Sequence, residues 1–484
     1  MASLSPGDLD AIVERVVQKL GPELAAAEAR PSAATSTGRA GRAPAYVRGH
    51  AGVYDDVDQA VAAARRAHEE IVEKPLALRA KILEAMRERT RKLAPDLARE
   101  AVAETGLGRV EDKIRKNLLC ADKTPGLEIL EPWSRTGDHG LVLMERAPFG
   151  VIGSITPSTN PTETIINNAL GMVAGGNGVV FNVHPSAKEV SRGFVEALNG
   201  AIVEAGGPEG LVACVAEPTI ESAGALMKHA GVRLVVVTGG PAVVKAAMSS
   251  GKRAIAAGPG NPPVVVDETA HLAQAGKDVV AGASLDNNIV CIVEKELFAV
   301  DSIASELKAA MLQSGAVEVK GAQISRLERL VVTPDGHPVR DFVGKDAAKI
   351  ARAAGISCPE EARLLVAEVD EGHPFVQVEL LMPVMGFVRV RDVEAGIAAA
   401  VRAEHGFGHT AVMHATNLDA LHAMARAVDT SIFVKNAPSF AGLGMGGEGY
   451  TSFTIASPTG EGLTTAVSFT RERRCTLAGY FRIV

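Results

Sequence analysis

Residues 151–183 read VIGSITPSTNPTETIINNALGMVAGGNGVVFNV. A short apolar run (VIGSIT, 151–156) gives way to Pro, Ser, Thr and Asn, then to a longer segment ending in Gly-Gly-Asn-Gly, then to a second apolar run (GVVFNV, 178–183). Runs of this length that are almost uniformly apolar suit strands covered on both faces, and the segment between them is long enough for a crossover helix. The pattern recurs downstream. LVACV (211–215), RLVVV (233–237), AIAA (254–257) and PVVV (263–266) alternate with PSAKEVSRGFVEALNGAIVEAG, PTIESAGALMKHAG and PAVVKAAMSSG. The expectation is an α/β fold whose first part, residues 46–267, is a doubly wound parallel sheet with ligands at the carboxyl ends of its strands. A second α/β segment runs from about His271 to Asn436, and a strand-like stretch, LTTAVSFTRERR, closes the chain.

The 484 residues carry 50 Lys and Arg against 57 Asp and Glu, a net charge of −7, so no overall positive field draws the chain to nucleic acid or anionic lipid. No apolar run approaches the roughly 18–20 residues that span a bilayer, so membrane partners are not expected either. Five cysteines (Cys120, Cys214, Cys291, Cys358, Cys475) are far apart and lack zinc-ligand spacing, which disfavours both a disulfide framework and a metal centre. The start, MASLSPGDLDAIVERVVQKL, has no basic n-region or continuous apolar core of a secretory signal, so a reducing cytoplasm is the expected compartment.

That start has its own pattern. Leu9, Ile12, Val13, Val16, Val17 and Leu20 form the stripe of an amphipathic helix, opened by Ser5-Pro6 and closed by Gly21-Pro22. From Ala25 to Ala45 the chain holds no apolar residue larger than Ala or Pro, the composition of a flexible tether over residues 21–45. A helix on a tether buries its stripe either by docking on a partner or by folding back onto its own domain.

Two phosphate-binding patterns fail on inspection. MSSGKR has Ala246 where a P-loop needs its first Gly and Arg253 where it needs Ser or Thr, and the Gly442-x-Gly444-x-x-Gly447 run is not followed by a βαβ unit. Thr238-Gly239-Gly240, between the strand RLVVV and a helix opened by Pro241, is the better cofactor turn, although such turns also serve as plain connectors.

Three further segments, ITPSTNPTET (155–164), AAGPGNPPVVVDETA (256–270) and SLDNNIVCIVEKE (284–296), closely resemble the aldehyde dehydrogenase superfamily and, within it, its CoA-acylating branch, over roughly residues 50–484. The resemblance implies an NAD-binding domain (46–267) with an oligomerisation hairpin at about 130–147, a catalytic domain (268–450) and a C-terminal oligomerisation strand region (451–484). It implies a homodimer or homotetramer in which WSRTGDHGLVLMER and the C-terminal strand build an intersubunit sheet. The implied activity is NAD-dependent, CoA-acylating oxidation of a short-chain aldehyde, propanal foremost and acetaldehyde next. Residues 1–20 resemble the encapsulation peptides of bacterial microcompartment cargo, which implies a shell protein as partner and a place inside a microcompartment in the bacterial cytoplasm.

Residue by residue, the resemblance makes Cys291 the nucleophile and Asn160 the oxyanion donor. It places Thr156, His184, Pro185, Ser186, Thr238, Gly239, Gly240 and Glu379 on the dinucleotide, with Glu379 at a ribose. Read alone, Cys291 would be a small buried hydrophobe and Asn160 an Asn-Pro turn former. Ala257 matches the position where hydrolytic relatives carry a Glu that activates water, which points to acyl transfer to a thiol. Ala187 replaces an acid that would favour NAD, so charge does not bar NADP. His405 and His409, in EHGFGHT, read as surface or packing residues, with a place beside the CoA or aldehyde path as the alternative. A hydrolytic dehydrogenase, a silent shell-associated scaffold and a nucleotide-binding module without redox chemistry are the competing readings.

Overall fold

The computed structural model describes residues 51–483, so the helix read over 1–20 and the tether over 21–45 lie outside the described residues. Eighteen strands are named here: β1 (Val53–Tyr54), β2 (Trp133–Gly137), β3 (Gly140–Pro148), β4 (Val151–Ile155), β5 (Gly178–Asn182), β6 (Val212–Val215), β7 (Val232–Thr238), β8 (Arg253–Ala257), β9 (Pro263–Val266), β10 (Glu296–Val300), β11 (Ala316–Val319), β12 (Leu364–Glu368), β13 (Val384–Val390), β14 (Thr410–His414), β15 (Ile432–Lys435), β16 (Ile455–Ala456), β17 (Gly462–Leu463) and β18 (Thr470–Ala478).

The first sheet has the order β1-β6-β5-β4-β7-β8 and is parallel throughout. Every residue of β4, β5 and β6 is buried, the physical counterpart of their uniformly apolar sequences. The chain winds outward from β4 through β5 to β6, then returns to place β7 on the other flank. Strand order therefore reverses between β4 and β7, which opens a crevice at their carboxyl ends. Close approach is built into the sequence at Gly178, where a Cβ would stand 2.4 Å from the Ala64 carbonyl oxygen of the covering helix Val57–Val72.

The second sheet, β11-β12-β13-β10-β9-β14-β15, is also parallel. Its membership corrects the boundary drawn at residue 267. The strand Pro263–Val266, read as part of the first sheet, pairs with β10 and β14 instead. The reason is the short segment Gly258–Pro262, which carries the chain from the carboxyl end of β8 to the amino end of β9. An apolar run announces a strand but not the sheet that takes it.

The closing region is likewise divided. Thr464–Phe469 forms no strand; Phe469, 1% exposed, packs on Gly171 of the helix Pro161–Ala174. Only Thr470–Ala478 is a strand, paired antiparallel with β3 in a three-stranded sheet β18-β3-β2 that contains the expected hairpin. Three helices for which the sequence yielded no assignment, Val57–Val72, Leu76–Thr105 and Val110–Lys123, precede that hairpin. No helix among the described residues is long and apolar enough to cross a membrane.

Candidate active site

Because all strands of both large sheets are parallel, each sheet has one carboxyl edge and one amino edge. Asn160 follows β4 at the carboxyl edge of the first sheet, whereas Cys291, Glu379 and His409 precede β10, β13 and β14 at the amino edge of the second. The segment Gly258–Pro262 spans the two edges. Its residue Gly260 touches the three residues of the second sheet: a Cβ there would stand 3.0 Å from the Cys291 carbonyl oxygen and 2.9 Å from His409 Cγ, and its N–H donates to Glu379 Oε1 at 3.4 Å. Asn261 fixes the segment by donating to the carbonyls of Val376 and Ala403, each at 2.9 Å.

Cys291 sits on a loop with three successive left-handed residues, Asp286, Asn287 and Asn288 (φ 48°, 55° and 66°). Asp and Asn tolerate this region best among residues with a Cβ, and here each side chain is also an anchor. Asn288 Nδ2 donates to the carbonyls of Ala283 (2.7 Å) and Glu294 (2.9 Å); Asn287 Nδ2 donates to the Gly344 carbonyl (3.0 Å). Buried Lys295 ties the same turn from inside, donating to Asn288 O, Asn288 Oδ1 and Val290 O. The loop is strained and over-determined, a combination found where a reactive side chain must be held.

Cys291 is only partly exposed. Burial, with the Glu379 carboxyl adding to it, pushes its thiol up to about 12, and the nearby Lys295 and Lys116 ammonium groups only partly offset this. Glu379 is itself raised by burial. His409 is fully buried, with Nδ1 2.9 Å from Thr410 Oγ1 and no partner at Nε2; burial and Lys295 lower it to about 4. It is therefore a neutral imidazole with one open nitrogen beside the nucleophile loop, neither a surface residue nor a satisfied packing residue. His405 is exposed and lies 3.0 Å from the Gln377 carbonyl.

Asn160 holds the N-cap position of the helix Pro161–Ala174, yet its side chain makes no capping bond. An N-cap Asn ordinarily spends its oxygen on the helix N–H groups. Here Oδ1 accepts from Lys116 Nζ at 2.5 Å. Lys116 and its neighbours Lys113, Glu163 and Asp286 form a buried ion cluster that sequence reading missed, since Glu163 and Asp286 lay in two separate quoted motifs and the two lysines in none.

The expected dinucleotide residues gather at the carboxyl ends of β4, β5 and β7, beside the crevice where strand order reverses. Thr156, 2% exposed, has a hydroxyl with no partner. Gly240 faces open space, and the helix Pro241–Met248 that follows has no side-chain cap, so its first N–H groups are open to an anion. His184, Pro185 and Ser186 are exposed after β5, with Ser186 Oγ 2.8 Å from His184 Nδ1. The Thr238 hydroxyl is turned away into Thr454 Oγ1 at 2.9 Å. An orphan hydroxyl, an uncapped helix start and an open glycine fit a dinucleotide diphosphate in this crevice. Glu379 lies instead at the amino edge of the second sheet, across from these residues.

At the end of β8, neither Ala256 nor Ala257 offers a carboxylate, so this strand supplies no base for water.

Two parallel sheets meeting edge to edge, with a strained cysteine loop on one and a dinucleotide-type crevice on the other, define an NAD(P)-type oxidoreductase framework. The chain belongs to the aldehyde dehydrogenase family, whose model matches residues 43–324. It is 52% identical to the acetylating acetaldehyde dehydrogenase EutE of Salmonella typhimurium over 91% of this chain and 95% of that one. Among solved structures it resembles Rhodopseudomonas palustris propionaldehyde dehydrogenase with bound CoA and an acylated cysteine (47% identity, TM-score 0.87, 88% and 98% covered). It equally resembles the propionaldehyde dehydrogenase of the Clostridium phytofermentans fucose utilisation bacterial microcompartment (46%, TM-score 0.88, 90% and 100% covered).

Proposed function

We propose that this chain oxidises a short-chain aldehyde, propanal foremost and acetaldehyde next, to its CoA thioester, with NAD as oxidant. Support comes from Asn160 at the carboxyl edge of the first sheet and the Cys291 loop at the amino edge of the second, with Lys116 bonded both to Asn160 and to Asp286 of that loop. The Cys291 sulfur, once deprotonated, bonds to the aldehyde carbon, and the carbonyl electron pair moves to oxygen. The Asn160 NH₂ donates to that oxygen, where the charge is greatest. A bound dinucleotide supplies the hydride acceptor, so the same carbon is left as a thioester of Cys291. The CoA sulfur then adds to it, and the Cys291 sulfur leaves with its electron pair. The balance is aldehyde plus NAD⁺ plus CoA thiol giving acyl-CoA plus NADH plus one proton. Thr156, the uncapped helix start after Gly240, and His184-Pro185-Ser186 hold the dinucleotide, and Ala187 sets no negative charge against the 2′-phosphate of NADP.

With purified full-length chain, NAD and propanal, NADH is expected to form quickly only when CoA is present, with propanoyl-CoA as the product. The competing reading is a hydrolytic dehydrogenase that releases free acid. Free propanoate formed equally fast without CoA would put it ahead.

The chain is a homo-oligomer in this reading, a homodimer or homotetramer. Support comes from β18, an edge strand with eight of nine residues exposed, followed by exposed Tyr480, Phe481 and Ile483, a surface that a second copy can pair with and cover. The reading also makes the protein microcompartment cargo, docked on a shell protein through residues 1–20. Deleting those residues is expected to leave kcat, KM and thermal midpoint within about twofold or a few degrees while abolishing co-purification with shells. A large fall in thermal midpoint would instead mean that the helix packs on its own domain.

A further inference from the structure

The helix Val110–Lys123 buries a polar stripe, Lys113, Lys116 and Asn117, against the junction of the two sheets. Lys116 is 1% exposed, and its ammonium has three partners: Asn160 Oδ1 at 2.5 Å, Asp286 Oδ2 at 2.6 Å and Glu163 Oε1 at 3.0 Å. Lys113, also buried, donates to the Thr159 carbonyl at 2.9 Å and reaches Asp286 Oδ2 at 3.0 Å. Asp286 further accepts from the Arg109 N–H at 2.6 Å, and its own N–H donates to Asp112 Oδ2 at 2.9 Å. The fit is tight, since a Cβ at Gly108 would stand 2.1 Å from Asp286 Oδ1.

A primary amide can present either its oxygen or its NH₂ to a neighbour. Turned the wrong way, Asn160 would aim a partial negative charge at the substrate oxygen just as that oxygen becomes anionic. An ammonium is a donor without acceptor capacity, so only Oδ1 can face Lys116. Burial works against the Lys116 ammonium, but Asp286 and Glu163 outweigh it and raise its pKa, so the grip persists across the working pH range. Two cations and two anions in the cluster cancel, so its effect at the site is orientation more than field.

We propose that Lys116 is the positioning residue of the oxyanion site: it fixes the Asn160 amide with its NH₂ toward the substrate. The inference rests on the reading of Asn160 as oxyanion donor.

The test is a kinetic cycle in the full-length enzyme. Lys116→Met paired with Glu163→Gln removes the grip while keeping the cluster neutral. Its kcat with NAD, CoA and propanal is expected to fall by about 10²-fold, approaching the loss of one oxyanion donor. KM for CoA and the Kd for NAD should stay within about twofold, a split that general loosening of the fold would not produce. Added to Asn160→Ala, the pair should cost less than about threefold more. A kcat within threefold of wild type, or losses that multiply with Asn160→Ala, would overturn the proposal. Should the paired variant not fold, Lys116→Arg, which keeps the charge on a longer, planar donor, is expected to lower kcat at least tenfold with the same constants preserved; unchanged kcat overturns it as well. Asn160→Ala alone separates the two ideas, because full activity there removes Asn160 from the mechanism whatever Lys116 does.

Discussion

Replacing Cys291 by alanine is expected to reduce aldehyde-dependent NADH formation to background, and replacing Asn160 by alanine to lower kcat by about 10²–10³. The two effects differ in kind. Without Cys291 there is no covalent path, whereas without Asn160 the path remains but one preorganised donor to the developing alkoxide is gone. Neither change should unfold the chain: Cys291 is partly exposed, and the Asn160 side chain does not cap its helix. Lys116 keeps Glu163 and Asp286 as partners when Asn160 is shortened. Initial rates with NAD, CoA and propanal, read beside thermal midpoints, check both outcomes. Full activity in purified Cys291→Ala enzyme would remove the nucleophile assignment.

Asp286→Asn should show the largest stability effect, about 3–5 kcal/mol, because it leaves two buried ammonium groups short of an anion. The side chains of Asp286, Lys113 and Lys116 are all at most 1% exposed, so solvent screens none of this. Burial alone would raise the Asp286 pKa, but Lys113 and Lys116 outweigh it and hold it below its usual value. A carboxylate with a depressed folded pKa stabilises the chain above its unfolded value near 3.9, and that stabilisation is lost as pH falls through the lower folded value. The gap between wild type and Asp286→Asn should therefore be constant from about pH 6 to 8 and close only in acid below about pH 4. Urea unfolding at pH 7 measures it, and a difference below about 1 kcal/mol would mean the cluster relaxes around the missing charge.

The alternation of apolar runs with crossover segments from Val151 to Val266 was enough to call for parallel sheets, because burial on both faces demands an almost uniformly apolar strand. DNNIVC and STNPTE were legible only through their resemblance to the family, since read alone Cys291 is a small buried hydrophobe and Asn160 a turn former. The carboxyl-end positions of Thr156, His184 and Gly240 followed from the same strand pattern. Sheet membership did not. Pro263–Val266 is apolar whichever sheet it joins, and only the turn through Gly258–Pro262 decides that it pairs with β10 and β14. The stripe Lys113, Lys116 and Asn117 was also unreadable, because charges at helical spacing ordinarily mark a solvated face. Their burial depends on Glu163 and Asp286, which lie 47 and 170 residues or more further along the chain. His409 gave no local sign of its complete burial either. Periodicity thus marked the strands of this protein and the resemblance of two short motifs marked its candidate reacting residues, while tertiary packing alone decided which edges meet and which charges could be buried, because a charge survives in the interior only when distant parts of the chain bring its partners to it.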